Sequence, residues 1–205
     1  MGLRQGDLLH RNWGAFAAWL PVLAVTAAAV VLGLFGDTAR ELLAFDRQAI
    51  AGGALWRLVS AHFVHLGFSH LLLNLAGLGL VWYLVGTTLG GRDWLIVWLL
   101  SIAAVSAGLW FFEPQLAWYV GLSGVLHGLL AAGVAADIGN ARWDTWILAI
   151  ALAGKIAWEQ LVGPLPGSEG ASGGTVIVDA HLYGAIGGLL AFAITRIRVQ
   201  TNESI

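Results

Sequence analysis

Ser123 and His181 are the two side chains of this sequence best suited to nucleophilic chemistry. A serine hydroxyl is a weak nucleophile until a base takes its proton. An imidazole does this near neutral pH and can return the proton to a leaving amine. His70 and Asn74 stand at i and i+4, so they share one helix face. Both donate hydrogen bonds, and donors aimed at one point suit an oxyanion. The backbone N–H of Ser123 adds a third donor if Ser123 opens a helix, because first-turn N–H groups lack intrahelical acceptors. The helix dipole at that end also favours developing negative charge. Together these residue types describe serine attack on a carbonyl with an amine as leaving group.

The elements that must position them are hydrophobic helices. Of 205 residues, 59% are apolar and 11% charged, against about 45–50% and about 25% for a soluble domain. The 28 glycines and 11 tryptophans suit a membrane bundle, with small residues at helix contacts and Trp at the interfaces. No cysteine is present, which excludes disulfides, thiolate metal sites and a Cys nucleophile. The net charge of −2 comes without a basic stripe, so nucleic acid is not an expected partner. Runs near the length needed to cross a bilayer lie at Phe16–Phe35, His70–Leu89, Trp94–Phe112, Leu122–Ala136, Thr145–Val162 and Val176–Ile194. The expected fold is an all-α membrane protein, a single six-helix bundle over residues 16–195. Cytoplasmic segments 1–15 and 196–205 flank it.

Basic residues orient the bundle. With the N-terminus inside, cytoplasmic segments hold Arg4, Arg11, Arg92, Arg142, Arg196 and Arg198, while Arg40, Arg47 and Arg57 lie in the first outer loop. Spans two, four and six then start at the outer face. His70, Asn74, Ser123 and His181 all fall near those starts, at one depth. Polar groups in a membrane are costly, so this coincidence points to function. Gly124 and Gly128, and Gly184 and Gly188, have the spacing of tight helix contacts and would bring spans four and six together. Gly121 precedes Ser123 by two, but Val125 stands where the nucleophile elbow of soluble hydrolases has its closing glycine.

Other polar residues admit plainer readings. His127, one turn below Ser123, either orients His181 or competes with it as base. Lys155 and Glu159, at i and i+4 in span five, read first as an ion pair that fixes packing and second as a substrate-binding pair. Asp179 is a candidate third triad member, but at i, i+2 it would not face His181. His62, His65 and His70 match no standard zinc spacing, and backbone bonding is the expected role of the first two. Asp137 and Asp144 flank the inner loop and read as solvated. The stretch Gly36–Ser69 reads as an interfacial loop with short helices. Gly163–Thr175, rich in Gly, Ser and Pro, reads as a flexible outer loop able to gate what lies beneath.

Trp56-Arg57, HFVHLGFSHLLLN (62–74), GLSG (121–124) and AHLYGAIGG (180–188), in this order, resemble the rhomboid intramembrane serine proteases. The resemblance covers nearly the whole chain after the first helix. It implies Ser123 as nucleophile and His181 as general base. It implies an oxyanion hole of His70, Asn74 and the Ser123 N–H, and places Trp56-Arg57 in a first loop lying partly in the membrane. It implies no metal or organic cofactor, and transmembrane proteins as substrates cut near the membrane surface. Many rhomboids carry an aromatic residue at the position of His127, stacked on the catalytic histidine. GLSGVLHG (121–128), the Lys155–Glu159 pair and AHLYGA (180–185) are similar to the rhombosortase branch. That branch implies a Gram-negative inner membrane with the active site toward the periplasm. Its substrates would be exported proteins bearing a C-terminal Gly-Gly signal, a hydrophobic helix and a basic tail. The alternatives are a rhomboid protease with other membrane substrates, an inactive rhomboid-like protein that holds membrane clients, and a small transporter using Lys155 and Glu159.

Overall fold

The structure, a computed structural model, describes the backbone of residues 5–203 and the side chains of residues 19–197. The outermost parts of both expected cytoplasmic segments, 1–4 and 204–205, lie outside the described residues, as do the side chains of Arg4, Arg11 and Arg198. The described backbone is mostly helical. Helix α1 (Gln5–Leu34) breaks at Phe35, and α2 (Gly36–Leu43) leaves it at a bend of 111°. A first loop then folds into strand β1 (Phe45–Asp46) and helices α3 (Arg47–Ala51) and α4 (Arg57–Ser60). Helices α5 (Phe68–Val85) and α6 (Gly91–Phe112) follow, then strand β2 (Trp118–Tyr119), antiparallel to β1. The chain ends in α7 (Ser123–Asp137), α8 (Trp143–Leu161), the short α9 (Ser168–Ser172) and α10 (Val178–Glu203). Both end helices continue into the terminal segments.

Among the described residues, three helices are long and apolar enough to cross a membrane: α5, α6 and residues 178–197 of α10. The bent pair Trp19–Leu34 and Gly36–Leu43 makes a fourth candidate. Two further expected spans fall short by these measures: at 15 residues α7 reaches about 22 Å, and α8 carries Asp144, Lys155 and Glu159 within its 19 residues. Large apolar side chains such as Leu80, Leu95, Phe111, Ile150 and Leu190 face outward, an exposed apolar surface that a soluble monomer rarely tolerates.

Helix α7 is the centre. Val125, Leu129 and Ala132 are fully buried, and Trp82, Val97 and Ala191 from three other helices join the same core. Its contact with α10 is backbone on backbone. A Cβ built on Gly184 would land on the carbonyl of Gly124, and one on Gly188 would land on the carbonyl of Gly128. The paired glycines seen in the sequence thus form one seam, and only glycine permits so close an approach.

The first loop is fastened by arginines. Helix α6 ends where Glu113 precedes a proline, a position that disfavours helical backbone. Its last carbonyls need donors. Arg47 supplies them, donating to the oxygens of Leu109 (2.6 Å), Trp110 (3.0 Å), Glu113 (2.8 Å) and Leu116 (2.9 Å). Arg57 does the same for Glu41 (2.7 Å) and Ala44 (2.8 Å). Hydrogen bonds from a charged donor are the stronger kind. Arg47→Met is expected to lower stability by roughly 2–4 kcal/mol by leaving these carbonyls unpaired, measured as the unfolding free energy in mixed detergent micelles.

Candidate active site

Gly121, with φ +119°, turns the chain from β2 into α7, a backbone conformation that side chains other than hydrogen rarely adopt. The turn is held from both sides. The Gly121 N–H donates to Ala61 O at 3.0 Å, and the Tyr119 hydroxyl donates to Gly121 O at 2.9 Å. Burial raises the pKa of Tyr119, which keeps its proton available for that bond. Two residues later Ser123 opens α7 with its first-turn N–H groups free of intrahelical acceptors.

The structure brings Ser123 and His181 together. His181 Nε2 lies 3.0 Å from Ser123 Oγ, within reach for proton transfer. The other ring nitrogen, Nδ1, lies 2.9 Å from Oε2 of Glu159. The remaining oxygen of Glu159 accepts from Lys155 Nζ at 2.6 Å, and that ammonium also comes within 3.4 Å of His181 Nδ1. His181 and Glu159 are 5% and 4% exposed, so these contacts are shielded from solvent.

His127 stacks on His181, with ring centroids 4.2 Å apart and planes 16° from parallel. Its Nδ1 lies 2.7 Å from the Ser123 carbonyl oxygen. An oxygen of that kind only accepts, so Nδ1 must carry the proton. The stack makes His127 a wall for His181, while the Ser123 hydroxyl faces His181. Ligand atoms of His127, Glu159 and His181 lie within 4.8 Å of one another. A metal ion there would have to displace the partners that both His181 nitrogens already hold.

His70 completes the opposite wall. The Leu66 N–H donates to His70 Nδ1 at 3.2 Å. That nitrogen is therefore an acceptor, which leaves the proton on Nε2. A Cβ on Gly121 would meet His70 Nε2 at 2.9 Å and Cε1 at 2.7 Å, so this N–H lies beside the turn that leads into Ser123. Asn74 uses its amide to donate to His70 O at 3.0 Å, and its second N–H is not needed there. Gly121→Ala is expected to displace the His70 ring and to lower the thermal midpoint in detergent, because the added methyl would stand 2.7 Å from His70 Cε1 on a backbone of positive φ. A variant that melts at the wild-type midpoint would contradict this geometry.

Ser123, His127, His70, Asn74, Lys155 and His181 line one cavity of about 490 Å³. Leu165, Ser168 and Ser172 also line it. The segment between α8 and α10, read from the sequence as a flexible loop, is partly helical (α9), with Gly163, Gly167 and Gly173 at positive φ setting its turns.

Elsewhere the structure revises several expectations. His62 does not rely on backbone alone: its Nε2 lies 3.1 Å from Ser106 Oγ. The Ser106 hydroxyl donates to Leu58 O, so His62 must donate to Ser106. Burial holds His62 down at about 4, keeping the ring neutral. The His65 ring packs edge-on against His70 at 5.2 Å. Asp137 and Asp144 are both open to solvent, as expected, while Asp137 also accepts from Thr145 and Asn140 and Asp144 also pairs with Arg142 at 2.6 Å. The carboxylate on His181 comes from Glu159, not from the nearby Asp179. In the sequence the only sign of Glu159 was its spacing from Lys155.

Residues 52–198 match the rhomboid domain family. A relative in Bacillus subtilis (strain 168), "Putative rhomboid protease YdcA", is 29% identical over 126 residues. The aligned stretch is 58% of this chain and 63% of that relative, so the chain spans less than two thirds of its length.

Proposed function

The chain belongs to the rhomboid family, and from that premise we propose that it is an intramembrane serine protease with Ser123 as nucleophile and His181 as general base. The observation that carries this reading is the 3.0 Å contact between Ser123 Oγ and His181 Nε2 at the edge of a cavity. A multi-pass membrane protein is what the family and the apolar helices indicate.

In the proposed reaction, a transmembrane substrate unwinds near small residues and presents a peptide bond to the cavity. His181 takes the hydroxyl proton as Ser123 Oγ bonds to the carbonyl carbon. The oxyanion is met by His70 Nε2–H, the free amide N–H of Asn74 and the backbone N–H of Ser123. His181 then protonates the leaving amine, and water hydrolyses the acyl-enzyme. An amine in place of water would give transpeptidation from the same intermediate. The contacts within the cavity support this division of labour. They also weigh against a client-binding protein or a transporter, neither of which needs a serine bonded to a histidine.

The finer reading rests on the resemblance of residues 121–128 and 180–185 and the Lys155–Glu159 pair to rhombosortases. In it, all six long helices cross the inner membrane of a Gram-negative cell, with both termini cytoplasmic and the cavity open to the periplasm. The substrates are exported proteins whose C-terminal helix follows a Gly-Gly-type signal. No metal or organic cofactor takes part, and membrane lipids are the surroundings. The test is mass spectrometry of the C-termini of such proteins, from cells with and without this chain. Termini newly cut near Gly-Gly only in cells with the chain support the branch. Identical termini in both would refute it.

A further inference from the structure

Resting on the serine-protease reading above, we propose that Glu159 is a positioning residue that makes the site a Ser123–His181–Glu159 triad, with Lys155 as its counter-ion. The argument begins with the imidazole. Taking a proton from Ser123 requires a lone pair on Nε2, so in the neutral ring the proton must sit on Nδ1. Nothing in an isolated histidine enforces that tautomer. Here Nδ1 faces a carboxylate oxygen at 2.9 Å, and an ionised carboxylate only accepts hydrogen bonds. The contact therefore selects the Nδ1–H form and sets the ring plane along the line to Ser123 Oγ, the role that the buried carboxylate plays in triads.

The two oxygens of Glu159 are divided between two partners. One takes the Lys155 ammonium at 2.6 Å, the other takes His181. When Nδ1 carries its proton, the 3.4 Å approach of Lys155 to Nδ1 sets donor against donor, so the ammonium is held by the carboxylate and not by the ring. The i, i+4 placement on α8 lets one helix face deliver both groups to α10. A partly buried ion pair such as Lys155–Glu159 adds little to stability by itself, because desolvation of the carboxylate offsets the attraction. Packing alone therefore accounts poorly for a carboxylate 4% exposed whose second oxygen meets His181. The ring is then fixed on three sides, by Ser123, Glu159 and the His127 stack.

The test uses the full chain in detergent micelles and a fluorophosphonate probe, reading the saturating rate of Ser123 acylation separately from the probe concentration at half-saturation. Glu159→Gln should lower the saturating rate about 100- to 10,000-fold and leave half-saturation unchanged. Glu159→Asp, which keeps the carboxylate, should recover part of the loss. The double variant Lys155→Met/Glu159→Gln keeps charge balance and guards against misfolding of the single one. If it also stays slow, Glu159 acts through His181. If it labels at the wild-type rate, Glu159 serves only to balance Lys155 and the proposal is overturned. Ser123→Ala separates the two readings. Wild type that labels at Ser123 while Glu159→Gln labels equally fast sinks the triad alone, whereas wild type that never labels at Ser123 sinks the protease reading beneath it.

Discussion

Ser123→Ala and His181→Ala should each reduce cleavage of a co-expressed transmembrane substrate by about 10,000-fold or more, with the protein still accumulating. The two losses are expected to be similar because hydroxyl and imidazole act as a unit. Without the base the hydroxyl keeps its proton, and without the hydroxyl the base has nothing to activate. Ser123→Ala gives up one hydrogen bond, on the order of 1 kcal/mol, so lost activity cannot be charged to unfolding. His181→Ala opens a space beneath His127, but Glu159 keeps Lys155 as partner at 2.6 Å, and no charge is left alone. Immunoblots of substrate and enzyme in the same cells measure both quantities. Cleavage persisting in either variant would remove that residue from the mechanism.

The second large effect arises at a residue that has no side chain of its own. Gly184→Val should abolish cleavage and lower the thermal midpoint in detergent. The added Cβ meets the carbonyl of Gly124, which is backbone and cannot rotate aside as a side chain would. Helices α7 and α10 must separate. Ser123 is the residue before Gly124 and His181 lies one turn from Gly184, so the separation pulls the nucleophile from its base. A displacement of about 1 Å in such a site costs about 100-fold in rate, and overpacking typically costs about 1–3 kcal/mol. Gly79→Ala is the matched control. It lies in α5, nothing stands within 4 Å of its Cβ position, and alanine is the better helix former. It should retain wild-type cleavage with equal or greater stability. Equal behaviour of the two variants would mean that the glycine seam does not hold the site together.

The residues proposed to do the chemistry were legible because burial makes polar side chains conspicuous in an apolar sequence. Ser123, His181, His70 and Asn74 stood near the starts of helices expected to run the same way, and the structure gathers them round one cavity. The glycine seam was legible for a similar reason, since small residues four apart have few other uses in a membrane helix. Glu159 was not. Its contact with His181 joins residues 22 apart in sequence on two different helices, and it depends on how α8 is rotated about its axis. Periodicity places Asp144, Lys155 and Glu159 on one face of α8, but it does not say which neighbouring helix that face meets. Spacing within a helix showed only the partner at i, i+4, so an ion pair was the nearest reading. The short helix in the outer loop was hidden by glycines, which signal turns whether or not a helix lies between them. The arginine fastening of the first loop was hidden because its acceptors are backbone carbonyls. Every residue has such a carbonyl, so none stands out in a sequence.

Localising a covalent fluorophosphonate adduct by tandem mass spectrometry, in the wild-type chain and in His181→Ala, tests the central claim most directly. The account predicts one adduct, on the peptide containing Ser123, in wild type, and none at that serine when the imidazole is removed. An adduct on another serine, or labelling of Ser123 that does not depend on His181, would contradict it.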